Sequence, residues 1–400
     1  AHVFTFTFGI IFCLIFGTGM CFAMGELGAG TLLWRGIGIA IGCVGILGMS
    51  INYPIYKKIL TRSKNKYATD IIKLANEKSE RFINVDHIVE IEKYKADVER
   101  DYLSKYGYTF DQVLVNNPYT FDTVKQVSAT PHESTLCNIF SDAYKQAVER
   151  VTGKKVDVAI TAAGVIRGSL PVGKVTVSDV FNAASLGVGT EGELIAIYVT
   201  GKDLKNAIEL DASVQPLMNT AQLFMSGAVY SFNQNRMIFN KVDYAMLRNE
   251  DGTLTEIEDD KLYHIVAGMY MGQMLGSAEE TSMGILTITP RDESGNPIAV
   301  EDLVNYVVKT ENGANLKEWY AIADYLDSMQ GDLDSRYAQP DGRKVVYKSL
   351  NPVKLLRGAN IFTYIVLVLI LGLITAIVFI FQKWATSRFK FSMNALHPVE

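Results

Sequence analysis

His132 and Glu133 stand side by side, and a histidine beside a carboxylate invites general acid/base chemistry. The pair also lies at the start of a helical pattern, where a histidine more commonly makes a capping or surface contact, so no catalytic role is assigned to it. The other histidines, His2, His87, His264 and His397, are scattered along the chain. Two-metal phosphoester hydrolysis needs several His, Asp and Asn ligands around ions about 3.5–4 Å apart. No D-x-H, G-D-x-x-D, G-N-H-[DE] or G-H-x-H run supplies them. A G-x-S-x-G nucleophile elbow and a Walker A loop are absent as well. No catalytic residue, metal ligand set or cofactor is therefore expected in this chain.

The elements that would position a site alternate between helical and extended patterns. Helices are expected over Asp86–Lys105, Leu136–Val151, Ser178–Ala184, Gly201–Glu209, Val300–Lys309 and Leu316–Leu326, with a short amphipathic one over Lys66–Glu80. Asp203 falls in the first turn of its helix, next to the positive end of the dipole. Strands are expected over Val156–Thr161, Leu194–Thr200, Ala228–Phe232, Ile238–Met246 and Tyr263–Ala267, with Asn233 and Asn235 in a turn. Residues 106–131 read as strands and turns. The pattern implies an α+β domain, a mixed sheet with helices packed on it.

The chain has 400 residues and a net charge of -5, which argues against nucleic acid as a partner. Cys137 stands alone in the polar part of the chain, so no disulfide framework is expected there. The mean hydropathy of +0.13 is high for a chain that is 20% charged, and three apolar runs account for it. Residues 3–24, 36–53 and 361–381 are each read as long enough to cross a hydrocarbon core of about 30 Å. The first could instead be a signal peptide. The chain begins at Ala1 rather than Met, which leaves its start undecided, and length favours a two-helix hairpin. Glycines 36, 38, 42, 45 and 48 would let those helices approach closely. The expected order is a hairpin in residues 1–56, a basic collar and helical linker in 57–131, a globular domain in 132–350, a membrane helix in 361–381 and a basic tail in 382–400. The collar Lys57–Lys66 marks a cytoplasmic face, whereas the tail Lys383, Arg388 and Lys390 puts the globular domain outside. The second orientation is preferred: an integral protein of the plasma membrane, with the lipid bilayer as a partner and the domain extracytoplasmic.

Motifs in the globular part carry a family resemblance. Glu133, Ser134, Leu136, Asn138 and Asp142 fit E-S-x-L-G-N-x-x-x-D-A, with Cys137 in the glycine position. Asp157–Leu170 reads DVAITAAGVIRGSL, Gly173–Phe181 reads GKVTVSDVF, Thr200–Glu209 begins T-G-K-D-L, and Gln222–Phe232 reads QLFMSGAVYSF. In this order they resemble the C-terminal, nucleotide-recognising domain of the 5'-nucleotidase/UDP-sugar hydrolase family over about half the chain, Glu133 to Met329.

The resemblance implies a nucleotide or nucleoside ligand, with Gly164 and Arg167 in the turn that presents an arginine to it. It also implies departures. Ala162 and Val165 replace an asparagine and a glycine, and Leu186 stands where the family has one aromatic face of a base clamp. Tyr270 could supply the other face, and Gln273, Met274, Leu275 and Gly276 offer no aspartate where the family has one. A stacking face is worth about 1–3 kcal/mol, so losing one face and the aspartate together would weaken binding by roughly one to three orders of magnitude. Gly164, Arg167, Leu186 and Tyr270 are the candidate substrate-binding residues. The plainer alternatives are that Arg167 pairs with an acidic neighbour and that Tyr263 and Tyr270 are core aromatics. The expected function is nucleotide recognition by a degenerate site without a catalytic metal centre. The alternative is one part of a 5'-nucleotidase-type phosphoester hydrolase of nucleotide catabolism, its catalytic domain missing or supplied by a partner protein.

Overall fold

The computed structural model describes residues 2–24, 34, 36–48, 50–52, 54, 57–58, 85–185, 192–214, 218–275, 282 and 284–394. The Lys66–Glu80 helix, Leu186 and the collar residues Arg62, Lys64 and Lys66 lie outside them. The chain divides into two units, Ala1–Ala96 and Asp97–Glu400.

In the first unit, α1 (His2–Met24) packs against a second helical stretch, residues 36–48. Glycines make the approach. A Cβ on Gly45 would lie 2.7 Å from the Phe16 backbone nitrogen, and one on Gly38 would lie 2.8 Å from the Gly19 carbonyl oxygen. α2 (Val85–Asp101) begins in this unit and ends in the second.

The second unit is a layered α+β fold, as its alternating pattern implies. Its centre is a four-stranded sheet in the order β4-β9-β2-β5, formed by β2 (Val158–Ala162), β4 (Leu194–Thr200), β5 (Leu223–Ser226) and β9 (Leu262–Gly268). β2 runs parallel to β9, with Ile160 opposite Ala267, and the outer pairs are antiparallel. Side chains alternate between faces along each strand, and both faces are covered, which is why β2 is apolar at nearly every position. Ala159, Phe224 and Val266 pack on α3 (Thr135–Thr152) and α7 (Glu318–Asp327). Ile160, Ile197 and Ile265 face α5 (Gly201–Val214).

Two smaller sheets complete the unit. β1 (Val113–Asn117) pairs with β3 (Gly173–Thr176), which runs into α4 (Val177–Ala183). The order β10-β6-β7-β8 joins β6 (Ala228–Asn233), β7 (Val242–Arg248), β8 (Leu254–Glu256) and β10 (Lys344–Tyr347), the last parallel to β6. α6 (Met269–Gln273) follows β9 directly, and α8 (Ile361–Asn394) closes the described chain. Trp319, fully buried on α7, donates its indole N–H to Tyr102 Oη at 2.8 Å and meets the Phe181 ring at 5.6 Å.

The membrane reading does not survive. Among the described residues no helix is long and apolar enough to cross a membrane. The transmembrane hairpin, the transmembrane helix at 361–381 and the integral plasma-membrane location with an extracytoplasmic domain are accordingly corrected.

Candidate functional site

The site grows from the end of β2. After Ala162 the chain turns through a single 3-10 turn, Ala163–Val165, and Arg167 leaves it. Two backbone bonds fix the turn: Ala163 N–H donates to the Gln222 carbonyl at 2.8 Å, and Arg167 N–H donates to the Ala183 carbonyl at 2.8 Å. Gly164 is required by proximity, because a Cβ there would lie 2.9 Å from the Thr220 carbonyl oxygen. Held in this way, Arg167 is solvent-exposed, and among the described residues its guanidinium makes no hydrogen bond or ion pair. The pairing with an acidic neighbour considered from sequence is not observed.

Arg167 lies at the edge of a cavity of about 320 Å³ between the central sheet and α5. Ile160, Ile195, Ile197, Val199 and Ile265 form its floor, and Leu204, Ala207 and Leu210 of α5 form its roof. Gly164, Tyr270, Met271, Met274 and Leu275 also line it. Three of the four candidate residues, Gly164, Arg167 and Tyr270, therefore share one cavity, while Leu186 is outside the described residues. Tyr270 is 41% exposed and is not a core aromatic. Tyr263 is one: it is buried, and its hydroxyl accepts the Glu258 N–H at 2.9 Å. Met218, Met271 and Thr220 were not anticipated, since nothing in their local sequence marks them as cavity residues.

Polar groups are sparse inside. Asp203 is engaged at its own helix start: Thr200 Oγ1 donates to its Oδ2 at 2.7 Å, and its backbone N–H donates to Thr200 Oγ1 at 3.1 Å. This reciprocal cap satisfies orphan groups of the first turn. Thr176 and Asp179 form the same device ahead of α4. Two of the sequence motifs thus cap helix starts.

The Glu133 motif is a clasp. The Glu133 carboxylate accepts from Asn138 Nδ2 at 2.8 Å, Asp341 N–H at 2.9 Å and Gly342 N–H at 3.0 Å. Asp142 accepts from Arg343 at 2.8 Å. Together they fasten the segment entering β10. His132 Nε2 lies 3.2 Å from Asp122 Oδ2, which raises the imidazole pKa, and its Nδ1 lies 2.7 Å from the Thr130 carbonyl. The adjacent pair therefore serves two separate structural contacts. Burial pushes the Cys137 thiol up to about 12, which suits a packing role. Among the described residues no group of three or more His, Cys, Asp or Glu side chains is placed to hold a metal ion.

Residues 115–277 match the family model of the 5'-nucleotidase, C-terminal domain. Among solved structures the chain is similar to a 5'-nucleotidase precursor from Thermus thermophilus, at 20% identity and a TM-score of 0.45, covering 66% of this chain and 44% of that one. It is also similar to the NAD nucleotidase of Haemophilus influenzae, at 13% identity and a TM-score of 0.43, covering 66% and 42%. A third is the sulfate thiohydrolase SoxB of Thermus thermophilus, solved with glycerol, at 13% identity and a TM-score of 0.38, covering 63% and 37%. The chain thus spans less than half the length of each. The search of curated proteins gave no match.

Proposed function

Residues 115–277 being a 5'-nucleotidase C-terminal domain, we propose that this chain is a recognition domain that holds an anionic small molecule at Arg167, the nucleotide of the family's name being the first candidate. One observation carries the reading: an exposed arginine without a protein partner among the described residues stands at the edge of a cavity inside the matched segment. A guanidinium offers planar, bidentate donors that suit phosphate or carboxylate. Tyr270 supplies one aromatic face, and Gly164 keeps the turn that presents the arginine. The site is reduced relative to a two-faced base clamp, so nucleotide affinity is expected to be modest.

The test is calorimetric titration of the chain with AMP and with adenosine. AMP should bind more tightly than adenosine, and Arg167→Ala should weaken AMP about 10- to 100-fold, as loss of a charge-assisted hydrogen bond does. AMP binding that Arg167→Ala leaves unchanged would overturn the assignment. The family match also favours a second reading, in which the domain is the recognition half of a phosphoesterase supplied by another polypeptide or segment. Co-purification of a metal-dependent phosphatase activity with the chain would support it.

A further inference from the structure

Resting on the anion-recognition role of Arg167, we infer that the body of the ligand is a flexible aliphatic chain and not a nucleobase. The cavity is divided by polarity. Deep inside, Ile160, Ile197, Ile265, Leu204 and Ala207 present only hydrocarbon. Asp203, the carboxylate among the lining residues, is occupied with Thr200 at its own helix start. A nucleobase placed against these five residues would bury ring nitrogens and exocyclic groups against hydrocarbon, and burying unpaired polar groups is costly. It would also lack a sandwich, since Tyr270 is the one aromatic residue among the described lining residues.

The open end is different. Met218 is 52% exposed, Met274 43% and Tyr270 41%, and Arg167 stands among them. Thioethers adapt their shape to irregular apolar ligands. A hydrocarbon interior with a methionine rim and a free cation at its edge is complementary to an amphiphile: an unbranched tail buried against the sheet and an anionic head, phosphate or carboxylate, on the guanidinium.

Calorimetric titration of the whole chain tests this with hexyl, octyl and decyl phosphate, decanoate and AMP, each amphiphile below its micelle concentration. Affinity should rise about fourfold per methylene added to the tail until the cavity is full, and decyl phosphate should outbind AMP. Decanoate against decyl phosphate sorts the head group. Arg167→Gln should weaken all the phosphates by a similar factor, about tenfold or more, and leave the dependence on tail length unchanged. AMP binding more tightly than every alkyl phosphate, with loss in Arg167→Gln, would overturn the aliphatic ligand and leave the recognition role standing. Absence of binding by any of the anions would overturn both. Tail-dependent binding indifferent to Arg167→Gln would overturn the anchored-anion geometry.

Discussion

Lys344 Nζ lies 2.8 Å from Asp211 Oδ2, and both side chains are shut away from solvent. The pair joins β10 to α5. Asp211 also accepts the Leu223 N–H at 2.7 Å and the Tyr230 hydroxyl at 2.8 Å, and so fixes the start of β5, whose Leu223 lines the cavity. Lys344→Met would strand that carboxylate among apolar groups, at a cost of about 3–5 kcal/mol. Adding Asp211→Asn removes the stranded charge and keeps an acceptor for the Leu223 N–H, with the amide NH2 facing the Tyr230 hydroxyl oxygen, so the double variant should regain part of the loss. Urea unfolding midpoints of the two variants and the wild type measure both effects.

Glu133 fastens a segment more than two hundred positions away in sequence. Its described donors are the Asn138 amide and the backbone N–H groups of Asp341, Gly342 and Lys344. Glu133→Ala removes charge-assisted bonds worth about 1.5–3 kcal/mol each before compensation by water. The expected result is local release of residues 339–344, read as new limited-proteolysis cleavage there. A cleavage pattern identical to that of the wild type would contradict the clasp.

Glu318 gives the fold a pH dependence. Burial pushes its carboxyl up from 4.5 to about 7, with Glu193 adding to the shift, and Tyr144 Oη donates to its Oε2 at 3.1 Å. Between those two values the folded chain holds a proton that the unfolded chain has released. The stability this contributes is full below about 4.5 and is lost as pH rises through about 7. Glu318→Gln stays neutral and keeps an acceptor for Tyr144. It should therefore gain on the wild type as pH increases, by up to about 3 kcal/mol. Thermal melts at pH 5 and pH 8 check it: the Tm difference should move in the variant's favour at pH 8.

Gly164 reports on the turn that aims Arg167. A methyl group there meets the Thr220 carbonyl oxygen, so Gly164→Ala must shift one of two turns that line the cavity. Overpacking of this kind costs about 1–3 kcal/mol. The variant should fold with a lowered Tm and bind anions about tenfold or more weakly. Unchanged affinity at a lowered Tm would separate the turn from recognition.

Much of the domain was legible because its elements are local. Leu194–Thr200 alternates clearly and forms β4 at those bounds, and the helix read over Leu136–Val151 forms as Thr135–Thr152. The misreadings have tertiary causes. The pattern over Ile238–Met246 implies one strand, but β7 begins at Val242. Ser213 Oγ accepts the Phe239 N–H and Glu209 accepts the Lys241 N–H, which hold the chain in a turn where Phe239 has φ +60. The pattern over Val300–Lys309 implies an α-helix, but only a 3-10 segment, Val300–Tyr306, forms. Val308 N–H bonds to the Leu194 carbonyl and pulls the chain out straight. β5, β8 and β10 escaped notice because short strands depend on partners distant in sequence. The Gly164–Arg167 turn could be read by resemblance. The hydrocarbon cavity could not, since its walls are apolar residues indistinguishable in sequence from ordinary core.

Methyl-resolved NMR of the chain labelled at Ile and Met tests most directly whether this cavity is the recognition site. Titrated with decyl phosphate, and separately with AMP, the signals of Ile160, Ile197, Ile265, Met271 and Met274 should move together with one of these anions, with Ile322 on the far side of the sheet as a silent control. The same titration in Arg167→Gln should need a higher concentration for the same shifts. If those five methyl groups stay still with both anions, or shifts gather on the Ile322 side instead, the cavity is not where this domain recognises its ligand.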